Sequence, residues 1–153
     1  MPQTASPVLI RPVEPQDFNA WLKLWLGYQA FYKVEIAPAV TESTWARLLD
    51  PTEPMHCAVA VEGNQLIGLV HYIYHRSTWT AGPYCYLQDL FVDPALRAKG
   101  TGRRLIRHVY ESAAAAGASR VYWLTHETNH DAMKLYDQVA ERSGFLQYRH
   151  LLP

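Results

Sequence analysis

Apolar side chains recur along this chain in two rhythms, one of period two and one near 3.6, and the rhythm predicts the element. Residues 8–11 form a short apolar run closed by Pro12, which reads as a first strand. From Pro15 onward Phe18, Trp21, Leu22, Trp25 and Leu26, then Tyr28, Phe31 and Tyr32, recur at steps of three and four. That spacing predicts an amphipathic helix with Asp17 as its cap. Thr41 opens a second, shorter helix that carries Trp45, Leu48 and Leu49 to the stop at Asp50 and Pro51. Residues 56–62 and Gln65–His75 are rich in Val, Ile, Tyr and Ala and are separated by Gly63 and Asn64, a hairpin signal. After a turn at Gly82 and Pro83, Tyr84–Val92 is a dense apolar run with Gln88 and Asp89 set inside it. Residues 100–117 are helical, with Leu105, Ile106, Val109, Tyr110, Ala113 and Ala114 on one face. A strand at 120–125, a helix at 131–143 and a last strand at 145–151 after Gly144 complete the order. Strands and helices mixed in this way predict an α+β or α/β sheet with helices on its faces.

Composition bounds what such a domain does. The chain has 153 residues, 49% of them hydrophobic, with 14 Lys+Arg against 14 Asp+Glu. One domain spanning residues 1–153 is expected, with a core large enough to need no staples. Neutral charge argues against a general nucleic-acid binder, which carries a basic excess. No run of about 18 apolar residues exists to cross a membrane, and the N-terminus lacks the basic and apolar regions of a secretory signal, so the cytoplasm is the expected compartment. Cys57 and Cys85 lie in apolar sequence and read as buried free thiols. The seven histidines form no HExxH or Cys/His ligand spacing, and no metal is expected.

One segment carries candidate chemistry. Between the strand ending at Val92 and the next helix stand Arg97, Ala98, Lys99, Gly100, Thr101, Gly102, Arg103 and Arg104. Glycines allow close backbone approach, and a helix N-terminus offers unpaired N–H groups, so the segment reads as a phosphate cradle. Five basic residues fall within positions 97–107, with no acid among them. A P-loop would need Gly-Lys-Ser or Gly-Lys-Thr, which is absent; a dinucleotide fingerprint would need a third glycine where Leu105 stands. A solvated basic loop at a helix start is the competing reading.

The strand Leu90-Phe91-Val92-Asp93-Pro94 followed by Arg97-Ala98-Lys99-Gly100-Thr101-Gly102 resembles the acetyl-CoA signature of the GCN5-related N-acetyltransferase (GNAT) superfamily. Asn129 and Tyr136 match a second element of that superfamily, and Gly144-Phe145 follows as its members do. Within the superfamily, Tyr86-Leu87-Gln88-Asp89-Leu90-Phe91-Val92 looks most like the branch that acetylates polyamines, related small amines and, in fungal members, histones or D-amino acids. The resemblance implies a mixed, mostly antiparallel sheet of six to seven strands flanked by about four helices, with a splayed parallel strand pair holding the cofactor. It implies acetyl-CoA as co-substrate, no metal, a small-molecule amine as acceptor and a homodimer. Leu90, Phe91 and Val92 would pair with the pantetheine arm, the N–H groups of Lys99 to Arg104 with the pyrophosphate beside Arg97 and Ala98, and Asn129 with the cofactor. Tyr136 would protonate the leaving thiolate and also touch the cofactor.

The base is open on sequence alone. The branch often has Glu where this chain has Gln88, whose carboxamide cannot take a proton from an ammonium. Asp89 matches the branch's Asp, but as Gln88's strand neighbour it faces the other side of the sheet, where it is either the base or a structural residue. Water leading to Glu35, Glu127 or a histidine is an alternative. On the acceptor side, Tyr32, Glu35 and Gln88 are candidates, because aromatics with a carboxylate suit a cationic amine. A protein lysine or N-terminus as acceptor, and a non-catalytic acyl-CoA-binding sensor, are the competing functions. The zero net charge is itself a cancellation: residues 1–94 hold five basic and nine acidic side chains, and residues 95–153 nine and five. A basic C-terminal part suits a polyanionic cofactor and an acidic N-terminal part a cationic acceptor.

Overall fold

The two-residue turn at Gly63 and Asn64 joins strands of 8 and 11 residues, and the fold grows outward from that hairpin. A computed structural model describes residues 7–96 and 100–153. In it β1 (Val8–Pro12), β2 (Met55–Glu62), β3 (Gln65–His75) and β4 (Tyr84–Val92) lie side by side, each antiparallel to the next, and β5 (Val121–Tyr122) adds parallel to β4. Gly63 adopts φ 62° in the turn, where a left-handed backbone favours glycine. Helices α1 (Phe18–Tyr32) and α2 (Pro38–Leu49) cover one face of this sheet, and α3 (Thr101–Ala115) covers the other.

The first face holds an aromatic core. Trp21, Leu24 and Trp25 of α1 and Leu48 of α2 pack on Cys57, Val59, Leu69 and Phe91 of the sheet. Gly27 lets α1 lie directly on Phe91, whose ring sits 3.1 Å from where a Cβ would be. On the other face Leu105, Ile106, Val109 and Ala113 form the buried stripe of α3, at the helical spacing read from sequence. A Cβ on Gly68 of β3 would meet Leu105 at 3.3 Å, so the glycine admits α3. Both cysteines are buried and free.

This compact unit ends at Trp123, and a second comprises Leu124–Pro153. The second holds α4 (His130–Val139), preceded by Asn129, and an Arg142–Asp137 ion pair at 3.0 Å.

Several predicted elements are corrected. The sheet has five strands rather than six to seven, because residues 145–151 form no ladder among the described residues and Phe145, Leu146, Tyr148 and Leu151 are 74–94% exposed. Alternation makes a strand only where a neighbour takes up the backbone hydrogen bonds. The strand predicted at 120–125 contracts to Val121–Tyr122, and the helix predicted at 131–143 ends at Val139, where Ala140 is extended. The second helix begins at Pro38, whose fixed φ and missing N–H suit a first turn, so Thr41 is a buried interior residue rather than the cap. Asp17 stands at the N-cap position of α1 as expected, but its side chain gives that helix no bond. Its carboxylate takes two bonds from Arg11, at 2.7 and 3.0 Å, and one from the Glu14 N–H at 2.8 Å, closing the 3-10 turn Pro15–Asp17.

Candidate active site

A break in strand register decides what β4 presents. Tyr72 and His71 are consecutive on β3, yet they pair with Leu87 and Asp89, so Gln88 is an extra residue bulged out of the ladder. Consecutive β3 residues face opposite ways, and their partners follow them. Tyr72 and Leu87 therefore face α3, and Tyr72 reaches Ser112 on that helix. His71 and Asp89 face α1. Without the bulge Leu87 and Asp89 would share one face.

Asp89 is buried at 8% exposure, and its surroundings explain how a carboxylate is kept there. The His71 Nδ1–H donates to Asp89 Oδ2 at 3.0 Å, and the Trp21 Nε1–H donates to His71 Nε2 at 3.0 Å. An indole N–H can only donate, so Nε2 is the accepting nitrogen and the proton sits on Nδ1. Tyr28 stands close enough to Asp89 for the carboxylate to act on its hydroxyl. Burial, then the Asp89 charge, push the Tyr28 hydroxyl well above the usual phenol range. The same two causes, with Tyr122, raise Tyr86.

Around Asp89 stands a set of rings. Tyr28 lies 4.7 Å from Tyr32 and 4.9 Å from Trp25 between ring centroids, and Tyr86 stacks on Tyr122 at 5.0 Å. The Tyr122 hydroxyl donates to His75 Nε2 at 2.7 Å, because His75 Nδ1 is already committed as donor to the Arg76 carbonyl. Tyr28, Tyr86 and Tyr122 are half-buried and Tyr32 is exposed. The result is one buried carboxylate beneath partly open aromatic faces, an arrangement suited to a compact cation.

Of the other residues singled out from sequence, Gln88 is the exposed bulge residue. Glu35 lies on the exposed loop after α1, which is pinned by Gln29: its Oε1 accepts the Ile36 N–H at 2.9 Å. Tyr32 joins the aromatic set through Tyr28, whereas Glu35 stays on its loop and Gln88 in the bulge. Leu90, Phe91 and Val92 continue β4 beyond its pairing with β5, which covers only Cys85 and Tyr86; past Tyr86 no strand lies on that side among the described residues. Arg97, Ala98 and Lys99 lie outside the described residues. Gly100 precedes α3 with φ 73°, and no side chain caps the helix. Arg104 N–H donates to the Gly100 carbonyl at 3.1 Å, and Thr101, Gly102 and Arg103 form the first turn of α3 ahead of it. The Thr101 hydroxyl is buried with no partner among the described residues. Arg104 donates to the Val8 carbonyl, tying α3 to β1. In the second unit, Asn129 precedes α4 and accepts the Met133 N–H at 3.0 Å through its main-chain oxygen, and Tyr136 is a half-buried residue of that helix.

His71 and Trp21 are not singled out by the sequence pattern. Trp21 sits in an ordinary apolar stripe, and a lone histidine in an apolar strand is most often a satisfied core residue. The available signal is two polar residues, His71 and Asp89, each inside the apolar run of an adjacent strand.

The comparisons with known proteins agree with this architecture. The Acetyltransferase (GNAT) family model matches residues 19–140. D-amino-acid N-acetyltransferase HPA3 of Saccharomyces cerevisiae is 39% identical over 144 residues, covering 93% of this chain and 89% of that protein. Thialysine N-epsilon-acetyltransferase of Bos taurus is 29% identical over 138 residues, 84% of this chain and 81% of its own. Among solved structures, AAC(6')-Iy in complex with the bisubstrate analog CoA-S-monomethyl-acetylneamine shares the fold with a TM-score of 0.84 at 16% identity, covering 97% of this chain and 100% of that one. The chain belongs to the GNAT acetyltransferase family. It is an acetyltransferase, as the sequence signature implies.

Proposed function

We propose that the chain, as one GNAT domain over residues 1–153, transfers an acetyl group from acetyl-CoA to the primary amine of a small, amino-acid-like or polyamine-like molecule. The observation that carries the acceptor reading is Asp89: a buried carboxylate bonded by His71, with no Lys or Arg paired to it among the described residues, beneath half-buried tyrosines. A buried anion left without a counter-charge favours an ammonium. The relatives named for D-amino-acid and thialysine acetylation support the same class of acceptor.

The residues present fit the cofactor. The N-terminus of α3, its left-handed Gly100 with open space where a Cβ would stand, and the Thr101 hydroxyl, without a partner among the described residues, suit an anionic diphosphate. The side of β4 past Tyr86 suits amide groups pairing with Leu90, Phe91 and Val92 as a strand would. The family motif assigns Arg97, Ala98, Lys99, Gly102 and Arg103 to the diphosphate, and assigns Asn129 to the cofactor. When bound, acetyl-CoA supplies a thioester carbonyl open to attack by an amine. Asp89 draws the ammonium in, and Tyr28 holds the hydrogen-bonded path by which the amine proton reaches the Asp89 carboxylate: Tyr28 Oη takes that proton as it gives its own to Asp89. Tyr32 closes the ring set around the acceptor. Glu35 and Gln88 are contacts for the acceptor's outer part. Tyr136 holds the proton for the departing sulfur.

Release of free thiol from acetyl-CoA, followed across D- and L-amino acids, thialysine, polyamines, aminoglycosides and lysine peptides, tests this reading. Turnover on one or more small amines but not on peptides is expected. Turnover on peptides alone would overturn it in favour of a protein acceptor. Thermal stabilisation by acetyl-CoA with no thiol release on any acceptor would overturn it in favour of a sensor.

A further inference from the structure

We propose that Trp21 and His71 act as a positioning pair: the indole locks the imidazole as the neutral Nδ1–H tautomer, so that Asp89 is oriented by a hydrogen bond yet keeps its full negative charge for the substrate. This rests on the reading of Asp89 as the anion that draws in the amine.

The argument is one of donors and acceptors. His71 stands at 4% exposure, with both ring nitrogens committed. Protonating Nε2 would set an N–H against the Trp21 N–H across a 3.0 Å gap, in a site with little water to take up either donor. An imidazolium is therefore excluded while the indole stays in place. Without the indole, the same imidazole would lie 3.0 Å from a carboxylate and become cationic, and the charge that recruits an ammonium would be cancelled inside the protein. Trp21 is held in turn. It is fully buried and packs on Trp25, Phe18 and Trp45, the last of which comes from α2. Trp25 meets the His71 ring edge-on at 4.8 Å. The titratable groups facing the pair are few. Asp89 is on β4, Cys57 lies opposite His71 on β2, and Tyr28 of α1 reaches Asp89. Asp17, whose charge also acts on Cys57, is bound to Arg11.

Nitrogen-15 NMR of the histidine rings of the full chain, without substrate, reads the tautomer directly. For wild type, a neutral His71 protonated at Nδ1 and unchanged from pH 5 to 8 is expected. An Nε2–H tautomer, or titration within that range, would overturn the lock. In Trp21→Phe, His71 should begin to titrate in the same range, and kcat/KM for the accepted amine should acquire an acidic limb absent from wild type, falling about tenfold per pH unit below the new protonation. If Trp21→Phe leaves His71 neutral, the indole is not the lock and the proposal fails. If His71 titrates in the variant but the pH profile is unchanged, the tautomer lock stands, and the role of Asp89 toward the amine is what falls. If Trp21→Phe does not fold, the wild-type spectrum alone decides the tautomer lock.

Discussion

Leu87 and Asp89, two residues apart on one strand, point to opposite faces of the sheet. Gln88 makes this possible by standing outside the ladder between the pairs Tyr72 with Leu87 and His71 with Asp89. A residue whose side chain could hardly serve as base thus sets the face on which the carboxylate appears. Asp89→Asn keeps an acceptor for His71 and removes the charge. It is expected to lower kcat/KM for the amine by about 100-fold or more, the scale of a lost acid–base group, with acetyl-CoA affinity unchanged. Steady-state kinetics beside a cofactor titration checks this, and a change below threefold would remove Asp89 from the reaction.

Tyr136→Phe separates the hydroxyl from the ring. Turnover should fall by about 100-fold while acetyl-CoA still binds within a factor of a few, because proton donation is lost and packing on α4 is not. Equal activity would show that the proton comes from elsewhere.

Gly102 lies in the first turn of α3, where the N–H groups are offered. Gly102→Trp should abolish acetyl-CoA binding, as read by calorimetry, while the protein retains its melting transition, since the side chain would stand where the diphosphate approaches. Unchanged affinity would sink the cradle.

Gly82 has a purely structural task. A Cβ there would sit 2.3 Å from the Gly117 carbonyl oxygen, a backbone atom that cannot swing aside. Gly82→Ala should cost about 1–3 kcal/mol, the usual range for overpacking, read as a lower urea midpoint. No loss would mean that the segment after α3 shifts freely.

Arg11 holds the Asp17 carboxyl below the usual carboxylate range, chiefly through its hydrogen bonds and against the opposing effect of burial. A lowered folded value stabilises the protein above the unfolded carboxyl's pKa of about 4, and that contribution is lost as pH falls through the folded value. Arg11→Met should therefore destabilise by about 1–2 kcal/mol at pH 7, with the gap to wild type narrowing at pH 3. Urea melts at both pH values test the sign; a gap that widens in acid would contradict it.

Much of this molecule is legible in its residues, and the failures share a cause. The hairpin about Gly63 and Asn64, the end of β4 at Val92 and the stripe of α3 depend on local chemistry, and they stand close to where the pattern puts them. The bulge at Gln88 does not announce itself. Burial along β4 still alternates almost as in a regular strand, and only pairing with β3 reveals the slip. His71 is hidden for a related reason, since its partners lie on α1 and β4, and no spacing rule joins positions 21, 71 and 89. Residues 145–151 fail in the opposite direction: apolar and aromatic residues follow the Gly144 stop, but no strand partner stands beside them among the described residues. Sequence reports what a segment prefers, whereas a ladder or a buried hydrogen bond needs a second segment to be present.

The bonds that set Asp89 span 18 residues of chain to His71, and the bond that fixes His71 spans 50 to Trp21. Contacts so distant close late, after the local helices have formed. Recovery of turnover in refolding should lag the return of helical signal, which makes enzymatic activity a stringent reporter of completed folding.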